Sequence, residues 1–473
     1  MKNTLAKNAV FNIFYRILNV LFPLITATYV SRILEPAGIG KVAYAQNIVS
    51  YFVMFAVLGI PRYGTREIAK SRNNQMAVNR LFTEILIINT ISTAVCAVGY
   101  YSAVLFGLVG SSIIYLICGL EILFNFISID WLFEGEEEYA FITTRSILVK
   151  LLSLAALFTF VNDEQDYPIY ALITCLGLGC NYLFNVFHAR KRVNLIFCDL
   201  NLRRHLKPIM ILALSVVASS LYSRVNVTML GWLCTEENVG YYTNAHKVVN
   251  MILTLVTAVS GVFMPRLSYY YQNDSKKYRQ LITAGVKIIL FLAIPCCAGL
   301  AMVAEDAVTL LFGESFRKSV AAVQVMAVLI VVIGVGDMLC YQAIISSGNE
   351  KLLIRSRVYA GIANVILSLL LIPRLQHVGA AIAALVSEVI VNGVLLKDAL
   401  RIVKPNVGLP YVAKVLLGTL VMAMVVLVIQ HCIANVLLSL IISACGGVLV
   451  YFVFEKIRRN DIVSLLQQLK HMA

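Results

Sequence analysis

Three basic residues stand deep inside apolar stretches of this chain: Arg16, Arg224 and Lys247. A guanidinium or ammonium held away from bulk water seeks a carboxylate or a phosphate, so each is a candidate anion contact. Each has polar company at helical spacing. Arg16 shares a face with Asn12, Asn19 and Thr26, Arg224 falls between Ser220 and Thr228, and Lys247 is in line with Thr243, Asn250, Thr254 and Thr257. Asn47 and Asn226 add amides to the same polar set. Together they describe an anion-binding cleft. Internal pairing with Glu121, Asp130, Asp337 or Glu388 is the alternative use of each cation, and snorkelling to a nearby membrane surface is a further one for Arg16.

The carboxylates form their own pattern. Glu121 shares a stripe with Asn125 and Ser128, Asp337 is one turn from Tyr341, and Glu388 is one turn from Asn392. An ionisable group within a span faces protein interior or a water-filled cavity by default, which makes Glu121, Asp337 and Glu388 candidates for binding a coupling proton or sodium. Hydrogen-bonded glue between helices is an equal use for them. No catalytic residue, cofactor or metal ligand is expected. Most of the eleven cysteines lie within apolar runs, Cys296 and Cys297 are adjacent, and no CxxC pair has matching histidines. No GxxxxGK[ST] segment exists for a P-loop, and no loop is long enough to hold a soluble catalytic domain, which favours a transporter over an enzyme.

The elements that must position these residues follow from hydropathy. At 60% hydrophobic and 14% charged residues, with a mean hydropathy of +0.83, the 473-residue chain has too little polar surface for a soluble globule. About fourteen apolar runs, most about 17 to 25 residues long, have the length that crosses a hydrocarbon core. Ala9 to Val30 is longer than a signal-peptide core, contains Arg16 and lacks a small-residue cleavage site, so it is read as a retained first helix. Basic residues crowd alternate loops: Lys2 and Lys7; Arg62 to Arg80; Arg145 and Lys150; Arg190 to Lys207; Arg266 to Lys287; Lys351 to Arg357; Lys397 to Lys414; and the tail from Lys456 to Lys470. The opposite loops hold Arg32, Lys41, Arg317, Lys318 and Arg374 among acidic residues. That asymmetry orients helices during insertion and puts both termini in the cytoplasm. The net charge of +14 is therefore a matter of topology and anionic lipid, and no nucleic-acid partner is expected.

A weak internal correspondence divides the chain. Glu35-Pro-Ala-Gly-Ile-Gly40 and Glu236-Glu-Asn-Val-Gly240 align so that Ala45 matches Ala245, and Ile60-Pro61-Arg62 matches Met264-Pro265-Arg266. A period of six helices implies two six-helix lobes, 1–189 and 208–400, joined by a linker at 190–207 and followed by two more helices in 401–473. The expected class is an all-α polytopic membrane protein.

Several segments resemble a known family. Asp130-Trp131-Leu-Phe-Glu-Gly-Glu136-Glu-Glu-Tyr139 is similar to the aspartate-tryptophan, glycine, acidic-aromatic motif of Wzx-type polysaccharide flippases. Met229-Leu-Gly-Trp232 with Asn238-Val-Gly-Tyr-Tyr242, and Leu310-Leu-Phe-Gly-Glu-Ser-Phe316, resemble the same family, polysaccharide transporters of the multidrug, oligosaccharidyl-lipid and polysaccharide exporter superfamily. Many relatives have an aspartate where this chain has Asn226. The resemblance implies a MATE-like fold and a substrate of undecaprenyl-pyrophosphate-linked oligosaccharide, moved from the cytoplasmic to the outer leaflet of a bacterial plasma membrane. A polysaccharide polymerase and assembly proteins are the implied partners. Lipid II flippases and MATE-type multidrug exporters are the alternatives, the latter disfavoured because a drug-cation cleft calls for carboxylates. Physical chemistry agrees: a sugar headgroup cannot cross hydrocarbon unaided. Moving one negative charge outward across an inside-negative membrane gains about 2.3 kcal/mol per 100 mV.

The charge pattern makes a direct prediction. Topology reporters fused after Gln75, Asn194 and Lys470 read cytoplasmic, and those at Glu164 and Glu237 read external. An external signal at Asn194 overturns the assignment, because the basic cluster flanking it is the densest in the chain.

Overall fold

A chain this apolar must satisfy its backbone within each segment, and helices do so without partners. The computed structural model describes residues 2–457 apart from Ser111 and Ala434; the side chains of residues 2–21, 215, 218, 219, 221 and 457 lie outside the description. Arg16, Asn12 and Asn19 are thus outside the described residues, as is the basic tail after Ile457. All regular structure among the described residues is helical. Among the described residues ten helices are long and apolar enough to cross a membrane, and Ile113–Ile127 is a shorter apolar helix. The protein is an all-α, multi-pass membrane protein.

Two compact units divide at Gly231/Trp232. The first holds α1 (Lys2–Val57), α2 (Ile60–Ser71), α3 (Gln75–Leu105), α4 (Ile113–Phe124), α5 (Asp130–Gly135), α6 (Tyr139–Phe160), α7 (Tyr167–Ala189) and nearly all of α8 (Arg203–Leu233). The second holds α9 (Glu236–Asn273), α10 (Ser275–Met302), α11 (Ala304–Phe312), α12 (Ser319–Gly336), a π-turn at Asp337–Tyr341, α13 (Gln342–Ser346), α14 (Lys351–Ile402), α15 (Leu409–Cys432) and α16 (Val436–Ile457). Both α1 and α14 are long enough for two crossings, and each is broken near its middle, at Glu35 (φ 54°) and Gln376 (φ 50°).

The division falls one helix later than the linker at 190–207, because α8 packs into the first unit. Ile209 is fully buried in a core shared with Ile60, Tyr63 and Trp131. Gly59 permits that approach: a Cβ there would stand 2.5 Å from the Ile209 carbonyl oxygen. The matching position before Met264-Pro265 is Phe263, and α9 runs through Pro265 unbroken. The two aligned Pro steps therefore differ, one starting a new helix and one lying inside an old one.

The linker is a strap fixed along one face of α3. Gln75 Nε2 donates to the Arg192 carbonyl at 2.7 Å, Asn79 Oδ1 accepts from the Asn194 N–H at 3.2 Å, and Thr83 Oγ1 accepts from the Ile196 N–H at 3.0 Å. One position on, the fully buried Glu84 accepts from the Asn201 N–H at 2.7 Å, meets His205 at 2.8 Å and pairs with Arg204. Spacing of four residues places Gln75, Asn79 and Thr83 on one helix face, so an irregular segment finds backbone partners that it cannot supply itself.

The segment Asp130 to Tyr139 knots one end of the unit. Asp130 Oδ1 accepts from Arg145 at 3.0 Å and from Asn185 Nδ2 at 2.8 Å, while Arg145 also donates to Asn185. Trp131 is fully buried against Gly64, where a Cβ would stand 2.7 Å from the indole. Gly135 abuts Ile68 just as closely, and Glu138 pairs with Arg192 at 2.5 Å and with His188 at 3.1 Å. Arg145 and Lys150, which hydropathy put in a loop, lie inside α6; the knot supplies Arg145 with its counter-charge, which is what allows an arginine there.

Glu136, in the turn before α6, has a buried Oε2 without a hydrogen-bond partner. Burial pushes its carboxyl up from the ordinary range, Glu138 adds to the rise, and Arg192 and His188 offset part of it. A carboxyl whose pKa is higher folded than unfolded destabilises the fold while ionised and regains that stability as pH falls through the folded value. Glu136→Gln is therefore more thermally stable than the parent protein at neutral pH in detergent, with the gap closing on acidification toward the ordinary carboxylate range. A variant no more stable at neutrality contradicts this.

Candidate anion-binding site

The polar residues of the first unit converge where the second half of α1 meets α4, α7 and α8. Thr228 is the hub. Its Oγ1 donates to the Arg224 carbonyl one turn back at 3.1 Å, and accepts from Asn47 Nδ2 at 2.8 Å and from the Tyr51 hydroxyl at 2.7 Å. One donor and two acceptor positions are then all used, so Thr228 fixes Asn47 and Tyr51 against α8. Gln46, beside Asn47, reaches the other way and donates to Thr174 of α7 at 3.3 Å. Gly231 lets α8 lie against α1, because the Tyr44 ring occupies the space a Cβ would take.

Arg224 heads this cluster. Its side chain is half-buried, its Nε is buried with no hydrogen-bond partner, and its charge interacts with Tyr51 and Glu121. Glu121, on α4, lies 4.0 Å from the Cys175 thiol of α7. A half-buried guanidinium with an unused donor is built to take an anion, and its planar fork suits two oxygens of one phosphate.

Three residues named from sequence, Arg224, Asn47 and Glu121, thus come together. Asn226 is buried, and two residues from Arg224 on a helix it lies on a different face. In the second unit, Lys247 Nζ donates to Asn244 Oδ1 at 3.1 Å. Asp337 opens the π-turn beside Ser260 and Gln342, so its one-turn relation to Tyr341 is replaced by i to i+5 bonding. Asn392, spaced to assist Glu388, donates to the Val332 carbonyl at 3.1 Å. Thr228 is on the Arg224 stripe that the sequence shows, whereas Tyr51 is the member sequence reasoning misses, because a lone Tyr in an apolar helix is common.

Comparison with known proteins agrees with this architecture. Over 405 residues the chain is 24% identical to the protein named "Putative O-antigen transporter" of Escherichia coli (strain K12), covering 84% of this chain and 96% of that one. It is 31% identical over 172 residues, 35% of each chain, to "Probable flippase AglR" of Haloferax volcanii. In structure it matches "Lipid II flippase MurJ, inward closed conformation" with a TM-score of 0.76 at 15% identity, covering 97% of this chain and 100% of that one. An inward-facing multidrug resistance MATE family transporter of the MOP superfamily matches with a TM-score of 0.63, also at 15% identity, over 83% of this chain and 98% of that one. These structural likenesses show a shared fold. Residues 5–271, more than half of the sequence and including the whole Arg224 cluster, match the family described as polysaccharide biosynthesis protein, and the chain belongs to that family.

Proposed function

We propose that this protein is a flippase for undecaprenyl-pyrophosphate-linked oligosaccharide repeat units, which it carries from the inner to the outer leaflet of a bacterial plasma membrane for polysaccharide biosynthesis. The observation that carries the reading is Arg224: a half-buried cation with an unused donor, set among Asn47, Tyr51 and Thr228 in an apolar helical unit. A lipid diphosphate supplies the oxygens that such a group lacks, and the amide and hydroxyls stand in for water around the polar headgroup. The relatives named as an O-antigen transporter and as a flippase support the same substrate class.

The prenyl tail has apolar accommodation as well. Within the second unit, α10, α15 and α16 surround a cavity of about 290 Å³ lined by Phe291, Pro295, Met422, Val426, Val448 and Phe452. Transport proceeds by alternating access with both termini in the cytoplasm and without ATP hydrolysis. The diphosphate moving outward down the membrane potential contributes about 2.3 kcal/mol per charge per 100 mV. Any proton or sodium coupling falls to Glu121, Asp337 or Glu388, with a chain polymerase as the partner that consumes the product.

The test is polymer export in cells that depend on this protein. Arg224→Ala lowers export by about tenfold to a hundredfold with unchanged protein in the membrane, the loss expected for one charge-assisted contact. Arg224→Lys restores it only in part, because the two-point grip is gone. Full export from Arg224→Ala contradicts the reading.

A further inference from the structure

The strap between α7 and α8 has a depth in the membrane that can be read from α3, the helix it follows. With 31 residues α3 is about 46 Å long, against a hydrocarbon core of roughly 30 Å. Its stretch 85–105 carries no charged residue and is long enough to cross that core by itself, which leaves Gln75 to Glu84 at headgroup level.

The strap runs in step with this polar part. Arg192, Asn194 and Ile196 bond Gln75, Asn79 and Thr83 in turn. Two residues of extended chain cover about 6.6 Å and four residues of helix about 6 Å, so the two stay in register toward the membrane. Ile196 to Cys198 thus arrive at the edge of the hydrocarbon. Asp199, in the left-handed region at φ 54°, turns the chain, and Glu84 then holds the Asn201 N–H.

Side chains brought to that depth face outward. Leu195 is 53% exposed and Phe197 69%, and two residues apart in an extended chain they point to the same side. The surrounding cations divide into two sets. Arg192 pairs with Glu138 and Arg204 with Glu84, whereas Arg190, Lys191, Arg203 and Lys207 are exposed and form no ion pair among the described residues. Arg190 also stands 5.5 Å from the centre of the exposed Phe187 ring. Asp199 is the one acidic residue in 190–207. An apolar tip ringed by cations matches the boundary layer of an anionic leaflet, where acyl chains cover the tip and phosphates meet the guanidinium and ammonium groups. A protein partner would need the tip at water level, above Gln75, and the strap carries it the other way.

We propose that the strap dips into the leaflet at the basic end of this unit, with Leu195 and Phe197 among the upper acyl chains and Arg190, Lys191, Arg203 and Lys207 on anionic lipid headgroups. It thereby ties that leaflet to α8, the helix that carries Arg224.

The test uses the full-length protein in proteoliposomes, with Phe197→Trp as a depth probe read as the difference in fluorescence from the parent, whose tryptophans are Trp131 and Trp232. Phospholipids brominated near the top of the acyl chain quench the added signal by roughly half, those brominated near the chain end quench it less, and aqueous iodide has little effect, as for a side chain about 5–10 Å below the headgroups. Brominated phosphatidylglycerol quenches it as though enriched at least about fivefold over brominated phosphatidylcholine, the preference that one surface cation supplies. Arg190→Gln, Lys191→Gln and Arg203→Gln together remove that preference with thermal stability unchanged. An added signal that is open to iodide and indifferent to brominated lipid overturns the proposal and leaves the tip as an aqueous surface for a protein partner. Equal quenching by the two headgroups, or a preference that survives the triple substitution, overturns the anionic-lipid contact.

Discussion

The cost of leaving a charge or a hydrogen-bonding group unpaired in an apolar medium governs this protein throughout, because a bundle of membrane helices has no water to fall back on. Charged side chains within helices are therefore informative by what surrounds them. Arg145 is nearly buried and closes on Asp130, Asn185 and the Asn181 carbonyl, and it serves structure. Glu84 is fully buried and receives Arg204, His205 and a backbone N–H, and it fastens the strap between α7 and α8. Arg224 is different: Arg145 also leaves its Nε unused but closes on a carboxylate at 3.0 Å, whereas among the described residues no ion pair holds Arg224 and its neighbours are bonded to one another. The same rule that makes the first two structural is the ground for proposing the third as an anion contact.

Much of this was legible before any coordinates. Apolar runs of membrane-crossing length give the helices, and polar residues at helical spacing pick out Arg224, Thr228 and Glu121, because both signals are local and periodic. What escaped was tertiary. Arg145 and Lys150 looked like loop cations because an apolar run starts at Ile147, yet α6 begins at Tyr139 and carries both inward. Arg145 can enter because its partners come from Asp130 and Asn185, a pairing that no periodicity reveals. The strap at 190–207 looked like a charged linker, and its order comes from Gln75, Asn79, Thr83 and Glu84 more than a hundred residues earlier.

The motifs behind the family resemblance acquire physical meaning from the same packing. Asp130, Trp131 and Gly135 are respectively the acceptor, the plug and the contact point of one knot. Gly313, after α11, has φ 96°, which an L side chain rarely adopts, and the adjoining Phe312 and Phe316 are fully buried. These residues hold the helices in place. The proposed substrate contacts, Arg224 and its neighbours, sit outside the Asp130 to Tyr139 motif.

The central claim is that a cation in the apolar bundle grips the diphosphate of a lipid-linked sugar. The most direct measurement is flipping in proteoliposomes of two short-chain analogues with the same sugar, one joined to the prenyl chain by a diphosphate and one by a neutral ether. The account predicts that the wild-type protein moves the diphosphate analogue at least about tenfold faster, and that Arg224→Gln removes most of that preference. Equal rates for the two analogues in the wild-type protein would contradict it.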